Sequence, residues 1–159
     1  MVLAKCIVIR YALAMAARIT DVEYHALSQL RYLIRKFLQE GDATARDAGL
    51  EPQQYLLLLT IRGLEAGQEP SIRALAERLA LRHHSTVELI DRLEGHGLVK
   101  RTRGREDRRQ VLVTLQPRGE KLLEKVVAKR IVELRSHGHA LVAAIGRLLE
   151  AGPRKSRTK

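Results

Sequence analysis

Two short stretches with helical spacing, three residues apart and followed at once by a change of repeat, constrain this chain more than any other feature. Ser71 is a good helix-starting residue, and Ile72, Leu75, Ala76 and Leu79 after it recur every three or four residues. Past Ala80-Leu81-Arg82 the same spacing returns in Thr86, Leu89, Ile90 and Leu93, the inner face of a helix over residues 83–96 that Gly95 and Gly97 end. Two helices of this size joined so tightly form a helix-turn-helix, whose second helix fits a DNA major groove.

The period then falls to two. Val99, Arg101 and Arg103 alternate with Leu98, Lys100 and Thr102, and Val111, Val113 and Leu115 alternate with Leu112 and Thr114. Two strands therefore flank a loop at 104–107, a β-hairpin with an arginine-rich tip. Upstream, Val22, Leu27, Leu30, Ile34, Phe37 and Leu38 make one helical stripe over 20–39, with Thr20 and Asp21 as caps, Gly41 as a stop and a polar linker over 41–49. Next, LEPQQYLLLLTIRGL begins a helix at Glu51-Pro52, and its nearly continuous apolar run marks a central, buried element. Pro117 ends the hairpin. Residues 118–149 then read as a long helix with Leu122, Val126, Ile131, Leu134, Leu141, Ile145 and Leu148 on its apolar side, bent or broken where Gly138 interrupts it at 136–139.

These elements give a mainly α fold with a small β-hairpin wing: a winged helix-turn-helix domain with helical arms at its N- and C-terminal ends, which the family resemblance given below implies are dimerisation helices. The expected organisation is an N-terminal arm over 1–19, a helix and linker over 20–49, the winged domain over 50–117, a C-terminal helix over 118–151 and a flexible basic tail over 152–159. The two terminal stripes carry more apolar surface than a compact winged domain covers by itself.

Charge narrows the partners. The 29 Lys and Arg against 18 Asp and Glu leave a net charge of +11, which calls for a polyanion. Residues 100–109 hold six basic residues, Lys100, Arg101, Arg103, Arg105, Arg108 and Arg109, against two acidic ones, a net of +4 aimed at duplex DNA. The tail adds Arg154, Lys155, Arg157 and Lys159. With four Tyr, one Phe and no Trp, the chain has little with which to stack single-stranded bases. A lone cysteine, Cys6, forms neither an internal disulfide nor a multi-cysteine zinc site and fits a cytoplasmic protein. Arg10 splits the apolar N-terminus into runs at 6–9 and 11–17, too short for a secretory signal or a membrane span, so this segment is an ordered arm or precedes the true start.

The stretch LEPQQYLLLLTIRG, followed by IRALAERLALRHHSTVELIDRLEGHGLVKRTRGREDRRQVLVTLQPRGEKLL, resembles the MarR transcription regulators over residues 50–123. Its most specific parts are ALAERL, then STVELIDRLEGHGLV, then DRRQVLVTLQPRGE. The resemblance implies a homodimer with interlocked terminal helices and two winged domains on a palindromic double-stranded operator. It further implies a repressor released when a small ligand, aromatic or anionic, settles between the dimer arms and the winged domain. Tyr24, Arg31, Tyr32 and Tyr55 are candidate lining residues.

With Thr86, Leu89, Ile90 and Leu93 turned inward, His83, His84 and Val87 are placed to read major-groove edges, the imidazoles by hydrogen bonds and the valine against a thymine methyl. Arg82 and Ser85 suit phosphates. Glu88 either accepts from a cytosine amine or braces Arg92 at i+4, and Arg92 is a brace or phosphate contact. Relatives carry basic or hydroxyl residues where this chain has Val87 and Glu88. In the hairpin, Asp107-Arg108-Arg109 resembles the family's Asp-x-Arg signature, which implies that Asp107 holds Arg109 for entry into a narrow minor groove. Arg103, Arg105 and Arg108 are then phosphate neutralisers.

Other functions fit less well. Catalysis would need His83, His84, Ser85 and Asp91 to converge, but adjacent residues on a helix point apart. No metal site or cofactor is expected; His25, His96, His137 and His139 lack HxxxH spacing, leaving at most a weak zinc site shared by His137 and His139 with a dimer mate. The alternatives to a specific regulator are a non-specific DNA-coating protein and a redox sensor acting through Cys6, which lies well before the first family-like helix.

Overall fold

A computed structural model describes residues 19–104 and 110–150. The elements follow in the order α1 (Asp21–Asp47), α2 (Pro52–Arg62), α3 (Ile72–Arg78), α4 (His83–Gly95), β1 (Val99–Arg103), β2 (Val111–Leu115) and α5 (Pro117–Glu150). They divide between two compact units, one described over residues 19–38 and 133–150 and the other Gln39–Val132.

Local chemistry fixes where the elements start. Thr20 and Glu23 form a reciprocal cap on α1: the Thr20 main-chain N–H donates to the Glu23 carboxylate at 2.7 Å, and the Glu23 N–H donates to Thr20 Oγ1 at 3.3 Å. Glu51 and Gln54 do the same for α2, with Pro52 in its first turn. Ser71 Oγ accepts from the Ala74 N–H at 3.2 Å to open α3.

Helix α1 does not stop at Gly41, and the stretch over 41–49 is not a linker. Gly41 sits inside the helix, where an added Cβ would lie 3.3 Å from Nε of Arg130, so the glycine leaves room for a buried guanidinium. Thr44 and Ala45 beyond it are buried, and that burial holds the extra turns. The true stop is Gly49, at φ 84, where the Leu50 N–H donates back to the Ala45 carbonyl at 2.9 Å. Helix α5 likewise runs unbroken through Gly138, because one glycine costs only about 1 kcal/mol against the cooperative hydrogen bonding of a 34-residue helix.

In the Gln39–Val132 unit, Leu50 joins Leu57 and Leu58 of α2, Leu75 of α3, Ile90 and Leu93 of α4, Val99 and Val113 of the hairpin and Val126 of α5 in one fully buried cluster. Helix α2 is therefore central, but not buried all round: Leu56 and Leu59 lie on an exposed side. The strands pair antiparallel with Val99 opposite Leu115 and Arg101 opposite Val113. Ser71 bridges to Leu112, and the Val113 N–H donates to the Pro70 carbonyl at 2.9 Å, which stitches the hairpin to the start of α3.

The other unit has a different balance. Ala26 and Ala144 are its only buried residues among those described, whereas Val22, Tyr24, Leu27, Tyr32, Leu38, Val142 and Leu149 are all more than half exposed. Large side chains left in water on two helices make an extensive exposed apolar surface among the described residues. No described helix is long and apolar enough to cross a membrane.

One close approach sets the hairpin against the last helix. A Cβ on Gly119 would lie 2.1 Å from the Leu98 carbonyl oxygen, so the first turn of α5 packs directly on the main chain between α4 and β1. The main-chain oxygen cannot swing aside as a side chain would. Gly119→Ala is expected to cost about 1–3 kcal/mol, read as a lowered midpoint in chemical denaturation, and an unchanged midpoint would contradict the packing described.

Candidate nucleic-acid interface

Helix α4 is rotated by its core contacts. Thr86, Leu89, Ile90 and Leu93 face inward and are buried, and the Thr86 hydroxyl satisfies itself by donating to the Arg82 carbonyl at 3.1 Å. That fixes the outer row. Arg82, His83, His84, Glu88 and Arg92 are exposed, and Ser85 and Val87 are half-buried at its edge. The turn before α4 is tight enough to hold Ala80 at φ 52, and it closes with the Leu81 N–H on the Ala76 carbonyl at 2.9 Å.

Arg92 acts locally: its Nε donates to the Glu88 main-chain carbonyl at 3.3 Å, so the link is to backbone while the Glu88 carboxylate faces solvent. At the far end of α4, the Arg118 guanidinium donates to the His96 carbonyl at 3.3 Å, a cation on the negative end of the helix.

Arg101 was not singled out by sequence reasoning, which counted it among the charges aimed at duplex DNA. In the structure it faces α4 instead. One terminal nitrogen pairs with Asp91 Oδ1 at 2.7 Å and also reaches the Val87 carbonyl at 3.3 Å, the other pairs with Glu94, and its own main-chain N–H donates to Glu94 Oε1 at 2.8 Å. The signal was present in two places. Strand alternation puts Arg101 on the side of buried Val99, and Asp91 and Glu94 stand three residues apart on one side of a helix.

This clamp shifts the charges within it. The Arg101 main-chain N–H does most to hold the Glu94 carboxyl below its ordinary value, against the opposing pull of desolvation and with further help from the guanidinium. Desolvation opposes the Arg101 charge, but hydrogen bonds to Glu94 and Asp91 outweigh it and raise an already high pKa.

In the wing, Arg103 is exposed opposite Val111, and the Gly104 N–H donates to the Gln110 carbonyl at 2.9 Å to close the strand pair. Arg105, Asp107, Arg108 and Arg109 lie outside the described residues, as does Cys6. Of the candidate ligand residues, Tyr24, Arg31 and Tyr32 are exposed on α1 in the first unit, and Tyr55 is buried in the second. Burial pushes the Tyr55 hydroxyl up, against the opposing charge of Arg130. His137 and His139 are exposed on α5, and no cluster of three or more metal-ligating side chains occurs among the described residues.

The chain is similar to known proteins. A family model described as MarR family matches residues 48–110. An HTH-type transcriptional regulator of Bacillus subtilis, YsmB, is 30% identical over 117 residues, which cover 74% of this chain and 75% of that protein. The structure of a MarR family protein from Bacillus stearothermophilus superposes with a TM-score of 0.64 at 25% identity, covering 84% of this chain and 94% of that one. CouR from Rhodococcus jostii RHA1, solved bound to p-coumaroyl-CoA, superposes with a TM-score of 0.55 at 26% identity over 78% of each chain. The matching family and YsmB, described as an HTH-type transcriptional regulator, point to a regulator rather than an enzyme.

The depressed Glu94 pKa has a signed consequence. Its stabilising contribution is complete above the ordinary carboxylate value of 4.5 and is lost as pH falls through the lower folded-state value. Glu94→Gln is therefore expected to lower stability at neutral pH only slightly, by about 0.2–1 kcal/mol for so exposed a pair, with the gap to wild type closing below about pH 4 in a denaturation series; a gap that stays constant down to strong acid would contradict the clamp.

Proposed function

Because the chain belongs to the MarR family of winged helix-turn-helix transcription regulators, we propose that it works as a homodimeric repressor of a palindromic operator, released by a small ligand. The observation that carries this reading is the outer row at the start of α4: Arg82, just before the helix, and His83 and His84 in its first turn stand exposed while the opposite row is locked in the core. On a duplex, His83, His84 and Val87 read base edges in the major groove, Arg82 and Ser85 hold phosphates, and Glu88 accepts from a cytosine amine. Arg92 braces the helix and meets the backbone. Arg103, Arg105 and Arg108 neutralise phosphates, and Asp107 positions Arg109 for the minor groove.

The exposed apolar faces of α1 and α5 support the dimeric reading, in which a second copy covers them by two-fold symmetry. Two recognition helices then read half-sites about 34–36 Å apart, so a short contact row gains specificity by being used twice. The effector is an apolar or aromatic anion, a class that includes the ligand of CouR, with Tyr24, Arg31, Tyr32 and Tyr55 contributing to its site. Its operator target puts the protein in the cytoplasm, in keeping with a chain that has a single cysteine.

Affinity for a duplex from the protein's own promoter region, measured beside a scrambled duplex over a series of salt concentrations, tests this reading. The promoter duplex is expected to bind about 1,000-fold or more tightly than the scrambled one, with both affinities falling steeply in salt. Arg109→Ala is expected to weaken promoter binding by about 1–3 kcal/mol and to flatten any preference for narrow-groove sequence. Equal affinity for both duplexes at every salt concentration would instead identify a charge-driven, non-specific DNA-binding protein.

A further inference from the structure

We propose that Arg101 is a positioning residue for sequence recognition: it locks helix α4 and strand β1 into one rigid reading head and cancels two carboxylates on the helix that reads the bases. The proposal rests on the DNA-binding reading above.

Helix α4 ends at Gly95 and β1 begins at Val99, so three residues, His96, Gly97 and Leu98, join them. Gly97 is in the left-handed region at φ 67, main-chain bonds from Gly97 to Glu94 and from Leu98 to Leu93 close the joint, and side-chain bonds across it add to the alignment of the two elements. Arg101 spans it. Its guanidinium engages Asp91, Glu94 and the Val87 carbonyl, reaching back two helical turns from the joint, and its main-chain N–H adds a fourth bond. A planar fork with fixed donor directions sets an angle between two elements, which a single ammonium on a flexible stem does not.

Charge points the same way. Asp91 keeps 58% of its side chain exposed, and Glu94 keeps 36%. Unpaired, both would repel the phosphates of any duplex that α4 entered. Arg101, 25% exposed and opposite Val113 in the strand register, occupies a position where alternation with Val99 calls for an apolar side chain. A core-facing arginine that answers two acids on the neighbouring helix is explained by the pair it makes. The network is too exposed to count for much in stability, since pairs like these are worth about 0.2–1 kcal/mol each. Its effect is on geometry and on the field at the contact surface.

The two consequences separate experimentally. Lost charge cancellation weakens binding to every duplex alike, and so does a smaller folded fraction; lost alignment weakens binding only where base contacts must fit. The decisive quantity is the ratio of affinities for a duplex selected by the wild-type protein from a random pool and a scrambled duplex of the same composition. Arg101→Met is expected to lower this ratio about tenfold, the size of one lost base contact, with little change in melting temperature. Arg101→Lys is expected to lower it about threefold, because one ammonium cannot hold both acids at once. Combining Asp91→Asn and Glu94→Gln with Arg101→Met should restore affinity for the scrambled duplex and leave the ratio low. A wild-type ratio in both single variants, or a ratio restored in the triple variant, would overturn the proposal; if the Met variant does not fold, the Lys variant decides by the same ratio. Selection that yields no preferred sequence for the wild-type protein would sink the DNA-binding reading and the proposal with it, a result distinct from a high wild-type ratio that Arg101 does not influence.

Discussion

The burial of one row of side chains, Thr86, Leu89, Ile90 and Leu93, governs the rest of the winged unit. Leu89, Ile90 and Leu93 join the same cluster as Leu57 and Leu58 of α2, Leu75 of α3 and Val99 and Val113 of the hairpin. A helix so held cannot roll without opening a cavity, and emptying a buried Leu or Ile position costs about 2–5 kcal/mol. The outer row is exposed because the inner row is fixed. The same core seats the base of the hairpin, so one packing event positions both elements of the proposed DNA-reading head.

The features that follow from periodicity were legible in the sequence: the short helix pair, the inner row of α4 and the register change into the hairpin all depend on spacing within a single element. The departures depend on neighbours distant in sequence. Gly41 reads as a stop until Arg130, far along the chain, is seen to need the space beside it. Leu56 and Leu59 belong to an apolar run with no period, so the sequence did not say which side of α2 faces the core. Gly138 carries a local penalty that cooperative hydrogen bonding in a long helix overrides. Arg101 was hidden for a different reason. In a basic hairpin every arginine looks like a phosphate contact, and only the position of Asp91 and Glu94 across the joint separates a clamp from a ligand-facing charge.

The two units meet the hydrophobic constraint differently. One has a closed core of leucine, isoleucine and valine; the other buries Ala26 and Ala144 and leaves Val142 at 71% exposure and Tyr24 at 62%. In the homodimer proposed above, the same faces would serve both stability and the spacing of the reading heads, which would give an effector bound near them a means of changing that spacing. The chain's net charge of +11 is distributed accordingly. Part of it, at Arg101 and Arg118, is spent inside the winged unit on Asp91, Glu94 and a helix end, so the charge available to DNA is smaller than the hairpin's composition implies.

The central claim is that two such heads read one duplex from the major groove. A hydroxyl-radical footprint on a duplex selected by the full-length protein tests it most directly. The account predicts two protected tracts related by dyad symmetry, with centres one helical turn, about 10–10.5 base pairs, or a whole multiple of that apart. A single unbroken tract with no symmetry, its position set by the fragment ends rather than by sequence, would contradict it.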